Sequence, residues 1–211
     1  MKAELVKLHI FTFLYMVTVY FTGAFRFMIW NVFLAMAALD LSVLFVFLKN
    51  RKAPLLLLLA IFGVWLLFYP NTFYMITDLM HMDWIALHID LRILRHLALF
   101  LILVAGVFLG VRLGICSVHL MKFGLFSTPV TREAFVLGLS ALSSVGIYLG
   151  RFLRFNSWDL FTNPILVLQS CLEVINLSFL VFVFGFSGIQ VLVIHLFSLP
   201  KPQSPDEIRF S

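Results

Sequence analysis

The chain has 211 residues, 63% of them hydrophobic and 12% charged, with a formal net charge of +5 and a mean hydropathy of +1.08. A soluble domain is about 45–50% apolar, so this balance excludes one and implies an all-α, polytopic integral membrane protein. The positive charge then belongs to loops facing acidic lipids, and no basic patch interleaved with aromatics supports nucleic-acid binding.

A membrane helix needs about 20 mostly apolar residues. Apolar runs lie at residues 8–25, 29–48, 54–69, 94–113, 135–149 and 174–197. Lys2 and Lys7 precede the first run as in a signal peptide. Thr22-Gly23-Ala24 is a poor cleavage site, however, and Arg26 with a second apolar run follows at once, so the first helix is expected to be retained. Lys49-Asn50-Arg51-Lys52-Ala53-Pro54 reads as a charged turn with proline placed to open the third helix. The stripe Gly106-x-x-x-Gly110-x-x-x-Gly114 lets the fourth run approach its neighbours closely, with intramolecular packing favoured over a homodimer seam. Gly146-x-x-x-Gly150, with Ser140, Ser143 and Ser144, gives the fifth run a similar small face. Asn163-Pro164 is the signature of an N-cap followed by proline at the first helical position.

The count is six transmembrane helices, or seven if the stretch from Pro164 to Phe197 crosses twice; a short helix before Asn176 would absorb the excess. Residues 1–198 are expected to form a single transmembrane domain and residues 199–211 a polar, proline-rich cytoplasmic tail. With the N-terminus inside, Lys2, Lys7, Lys49, Arg51, Lys52, Arg112, Lys122, Arg132, Lys201 and Arg209 are cytoplasmic. Arg26, Arg92, Arg95, Arg151 and Arg154 are then external. Ten against five favours both termini in the cytoplasm. Cys116 and Cys171 lie in separate apolar stretches and signal neither a disulfide framework nor a zinc site.

Two polar clusters interrupt the apolar sequence, and this topology puts both outside. The first holds Pro70, Asn71, Tyr74, Thr77, Asp78 and His81. From Phe73 to Leu91 the apolar residues recur at helical spacing, which predicts an interfacial amphipathic helix after the third span. Tyr74, Asp78 and His81 fall on one flank, where Asp78 could orient His81 as a general acid or base. The alternative is a solvated polar face. Asp78, His81, Asp83, His88 and Asp90 include metal-ligand types, but they divide between two flanks and form no dedicated motif, so no metal is expected. No cofactor is signalled.

In the second cluster, Arg151 and Arg154 are spaced as neighbours on a helix face, and Asn156-Ser157-Trp158-Asp159 reads as a turn. Paired guanidiniums suit an anionic group; their other use is to clamp loops through Asp78, Asp83 or Asp159. Asn71, Asn156 and Asp159 complete the ligand-binding candidates. Asp40 and Glu173 are expected as intramembrane acids, while His9, His119 and His195 read as interfacial polar residues.

At these clusters the chain resembles a family of bacterial integral membrane proteins, domain of unknown function 1361. The residues concerned are Trp65-Leu66-Leu67-Phe68-Tyr69-Pro70-Asn71 with Tyr74, Thr77-Asp78 and His81, and Tyr148 to Asp159. Phe155 stands where the family would more often carry Trp. The resemblance implies a multi-pass protein of the bacterial plasma membrane and carries no activity. The leading expectation is an outward-facing site of Asp78, His81, Arg151, Arg154, Asn156 and Asp159, binding or acting on an anionic lipid or cell-envelope substrate. The alternatives are a small transporter using Asp40 and Glu173, or a non-catalytic membrane assembly protein. Substrate and oligomeric state are not legible.

Overall fold

The computed structural model describes residues 2–81, 93–155 and 159–199, and throughout them the regular structure is helical. Helices α1 (Lys2–Thr22), α2 (Phe27–Asn50), α3 (Leu55–Phe68) and α4 (Pro70–Thr77) are followed by a 3-10 turn (Asp78–His81). After them come α5 (Leu94–Leu125), α6 (Pro129–Phe152), α7 (Asp159–Thr162), α8 (Pro164–Glu173) and α9 (Leu177–Leu196). Six helical stretches among the described residues are long and apolar enough to cross a membrane: Ala3–Thr22, Phe27–Asn50, Leu55–Met80, Leu94–Leu125, Pro129–Phe152 and Leu177–Leu196. Their outward apolar side chains, such as Phe21 at 81%, Leu56 at 79% and Phe184 at 73% exposure, would be an aggregation surface in water and are solvated by lipid. The chain is a polytopic α-helical membrane protein.

The expected seventh element is α8. At ten residues it is about 15 Å long and too short to span the hydrocarbon core.

Local chemistry sets the helix ends. After α2 the chain turns through Lys52 at φ 55°, with Lys52 N–H donating to Lys49 C=O at 3.0 Å and Ala53 N–H to Leu48 C=O at 3.0 Å. This is the Schellman pattern, closed by lysine where glycine is usual. Pro54 then serves as N-cap of α3. Thr128 caps α6 through its hydroxyl, which accepts Thr131 N–H at 3.3 Å, and Asn176 caps α9 by accepting Phe179 N–H at 3.0 Å. Asn163 occupies the N-cap position of α8 without a side-chain capping bond. Its amide instead reaches back to Thr162 Oγ1 at 3.5 Å, so Pro164 alone supplies the expected start signal.

The chain folds as two compact units, Met1–Leu120 and Met121–Pro200. In the first, α2 packs against α1, α3 and α4. Trp65 Nε1–H donates to Ser117 Oγ at 2.8 Å, and Ser117 Oγ–H passes the bond on to Ala38 C=O at 3.1 Å. This ties α3 and α2 to α5 through a fully buried serine. The glycine stripe packs within this unit. A Cβ at Gly106 would strike Tyr15 and Met28, one at Gly110 Met75, and one at Gly114 Thr72 and Phe73.

In the second unit α6 packs on α9. Tyr148 meets Phe179 at 4.9 Å and Phe182 at 5.4 Å. Below them Gln190 Nε2–H donates to Ser140 C=O at 3.2 Å and Ser144 Oγ at 2.8 Å. Ser187 Oγ lies 3.1 Å from Ser144 Oγ. Interhelical bonds of this kind act as glue where no hydrophobic force draws helices together.

Candidate functional site

The first cluster is built on the continuation of α3. Pro70, at the first position of α4, lacks an N–H that would be unpaired there anyway, so the helix restarts after one turn residue. Asn71 Nδ2–H donates to Phe68 C=O at 3.0 Å, covering a carbonyl at the end of α3. Tyr69 and Phe73 continue an aromatic ladder from Trp65, with centroids 5.2 and 6.0 Å apart.

The periodicity read from Phe73 onward predicts a helix lying in the interface. The observed α4 packs on α2, with Phe73 and Met75 at 0% exposure. Of the apolar stripe, Phe73 packs inside the first unit, Met80 is exposed, and Trp84, Leu87 and Leu91 lie outside the described residues. Residues 82–92, and with them Asp83, His88 and Asp90, lie outside the described residues, as does the His81 side chain.

Asp78 is the most informative residue of the cluster. It is 1% exposed, and its Oδ2 accepts Asn31 Nδ2–H at 2.7 Å. Tyr15, on α1, donates its hydroxyl to Ile102 C=O at 3.1 Å. Asn31 is a site residue that sequence reasoning passed over. Its signal was present, a lone amide within the apolar run of α2. Tyr74 is half-buried, and Thr77 Oγ1–H donates to Tyr74 C=O at 2.6 Å. A buried carboxylate bound by an amide is held in one place at the cost of its own access to solvent.

The second cluster straddles the end of α6. Arg151 lies in the last helical turn, half-buried. The spacing of Arg151 and Arg154 predicts neighbours on one helix face. The helix instead stops at Phe152, and Arg154 stands beyond it at φ 60°, exposed. The left-handed conformation lets Phe155 N–H turn back to Leu149 C=O at 3.2 Å. Glycine adopts such a conformation without cost, whereas an L side chain pays about 1–2 kcal/mol. Asp159 opens α7 and is half-buried, its C=O accepting Asn163 N–H at 2.8 Å. Asn156, Ser157 and Trp158 lie outside the described residues.

The two apolar-region acids differ. Asp40, within α2, contacts His9 Nε2 at 3.1 Å. Glu173 ends α8 and is exposed. His195 likewise finds a carboxylate, Glu133 Oε2 at 2.7 Å. Among the described residues no group of three or more His, Cys, Asp and Glu could hold a metal ion.

No curated protein and no solved structure matches the chain. The family model described as protein of unknown function (DUF1361) matches residues 30–193, a stretch that takes in both polar clusters. The chain belongs to that family.

Proposed function

We propose that this is a bacterial plasma-membrane protein whose outward-side polar residues bind, or act on, an anionic lipid or cell-envelope substrate. The observation that carries the reading is Arg154, an arginine kept in a left-handed conformation at a helix end. Left-handed non-glycine residues are enriched at functional sites. Arg151, in the last turn of the same helix, supplies a second guanidinium, and a pair of guanidiniums suits the forked oxygens of a phosphate or carboxylate. Positive residues outside run against the usual distribution, which supports a specific use for them. Asn156 and Asp159 border the same helix end in sequence and complete the ligand-binding set.

In the first cluster the reading gives Asp78 an orienting role, because it is buried and bound by Asn31. His81, one 3-10 turn further on, is the proton-transfer group, with Tyr74 beside it in the sequence pattern. Each cluster supports the reading by itself.

The experiment uses full-length protein in a zwitterionic detergent, with thermal stability followed as short-chain phosphatidylglycerol or phosphatidylcholine is added. A ligand that binds the folded form stabilises it by about 2.7 kcal/mol at a hundredfold excess over Kd. Phosphatidylglycerol is expected to raise Tm more than phosphatidylcholine does, and the Arg151→Ala/Arg154→Ala variant to lose the difference. An equal response to both lipids in the wild type would remove the basis for the proposal.

A further inference from the structure

His9 and His195 lie in different units of the fold, yet their hydrogen bonds repeat one pattern. His9 Nδ1 lies 2.8 Å from Leu5 C=O, four residues back on α1, and its Nε2 lies 3.1 Å from Asp40 Oδ1 on α2. His195 Nδ1 lies 2.7 Å from Val191 C=O, again four residues back, on α9, and its Nε2 lies 2.7 Å from Glu133 Oε2 on α6. A carbonyl oxygen only accepts, so in both rings Nδ1 carries a proton. That fixes the tautomer. A neutral imidazole protonated at Nδ1 turns the Nε2 lone pair towards the carboxylate, and two acceptors at that distance repel. Each contact therefore needs one further proton, either on Nε2 facing a carboxylate or on the carboxyl facing a bare Nε2.

We infer that His9–Asp40 and His195–Glu133 are two proton-binding sites, each holding one proton between an imidazole Nε2 and a carboxylate oxygen and using it to join two helices. The ligand is the proton itself. On its loss to water the pair faces two choices. It can separate, which frees α1 from α2 or α9 from α6 at that level, or the ring can move its remaining proton to Nε2 and give up the backbone carbonyl. Either way one of the two bonds breaks, so occupancy sets the helix contact.

The surroundings leave this choice to the pairs. On α1 the other acid, Glu4, is engaged by Arg112 at 2.6 Å. Lys2, Lys7 and Lys49 are the remaining lysines of α1 and α2, with Lys2 at the first residue of α1 and Lys49 near the far end of α2. Beside Glu133, Arg132 is turned away, donating Nε–H to Phe126 C=O at 2.9 Å and covering the Phe123 ring. The members of both pairs are about half-exposed. Asp40 lies about 15 Å from the end of α2 at 1.5 Å per residue, at a depth where an ionisable residue is rarely without a use. Glu133 lies within about 6 Å of the start of α6, so the deep pair has a shallow counterpart for comparison.

This inference is independent of the anionic-ligand proposal. Its test is a pH series of imidazole nitrogen spectra on 15N-histidine full-length protein in lipid nanodiscs, with signals assigned through His9→Gln and His195→Gln. Nδ1 is expected to be protonated in both rings at neutral pH. As the pH is raised and about one proton leaves each pair, either Nε2 should shift from hydrogen-bonded to unpaired or Nδ1 should lose its proton signal to Nε2. In Asp40→Asn the side-chain amide can donate to the Nε2 lone pair without a shared proton. His9 signals should then stay fixed across the same range while those of His195 still move, which also reports an intact second unit. A bare Nδ1 in His9 at neutral pH, wild-type His9 signals that never move, or a titration unchanged in Asp40→Asn would each overturn the inference.

Discussion

Arg154 separates two roles that mutations usually confound. Its left-handed backbone favours glycine, so Arg154→Gly is expected to leave stability unchanged or to raise it by up to about 1 kcal/mol. The same change should remove the extra stabilisation by phosphatidylglycerol. Thermal melts with and without lipid check both halves, and a destabilised Arg154→Gly protein would show that the side chain is structural. Asn31 makes the opposite kind of case. Removing it leaves buried Asp78 without the donor at 2.7 Å, so Asn31→Ala is expected to cost about 1–3 kcal/mol, read from unfolding in mixed micelles. Asn31→Asp should cost more, because it places a second carboxylate against the first.

At the level of helices, the glycines of α5 form a graded test. Gly110 and Gly114 touch Met75, Thr72 and Phe73, while Gly138 on α6 has open space where a side chain would go. Gly114→Leu is therefore expected to lower folded yield sharply, through overpacking worth about 1–3 kcal/mol or more, and Gly138→Leu to be nearly silent. Size-exclusion profiles and melts of the two variants decide the matter. Gln190 packs between α9 and α6 with its Oε1 buried and unpaired, while Ser140 C=O, which it contacts, also receives Ser187 Oγ–H. Gln190→Leu removes an unpaired carbonyl along with two bonds, and a change within about 1 kcal/mol is expected; a loss well beyond that would mean the amide has a further partner.

Much at this scale was legible because it is local. The charged turn after α2, the proline that precedes α3 and the proline that opens α8 act within a few residues of themselves. The contacts that define the sites were not legible, since they join residues distant in sequence. Asp78 to Asn31 and Asp40 to His9 span 47 and 31 positions. Helical periodicity marked Phe73 as part of an apolar stripe but was silent on whether lipid or α2 would cover it. Arg151 and Arg154 misled for a related reason, because a spacing of three implies a shared face only while the helix continues.

For the molecule as a whole, the reading depends on which side of the membrane each cluster occupies. Single cysteines at Asp83→Cys and Ser157→Cys are expected to react with a membrane-impermeant maleimide added outside intact cells; protection of either would reverse the sidedness drawn from the Lys and Arg count. The native thiols set the background. Cys116 is buried and Cys171 half-buried, and burial pushes the Cys171 thiol up. Less thiolate is then present at neutral pH, so its labelling should be slow there and quicken as pH rises.

The central claim is selective binding of an anionic group, and native mass spectrometry of the full-length protein released from mixed bilayers tests it most directly. With phosphatidylglycerol and phosphatidylcholine present in equal amounts, the wild type is expected to retain phosphatidylglycerol adducts preferentially, and the Arg151→Ala/Arg154→Ala protein to retain the two equally. Equal retention by the wild type, or an anionic preference that survives in the double variant, would contradict it.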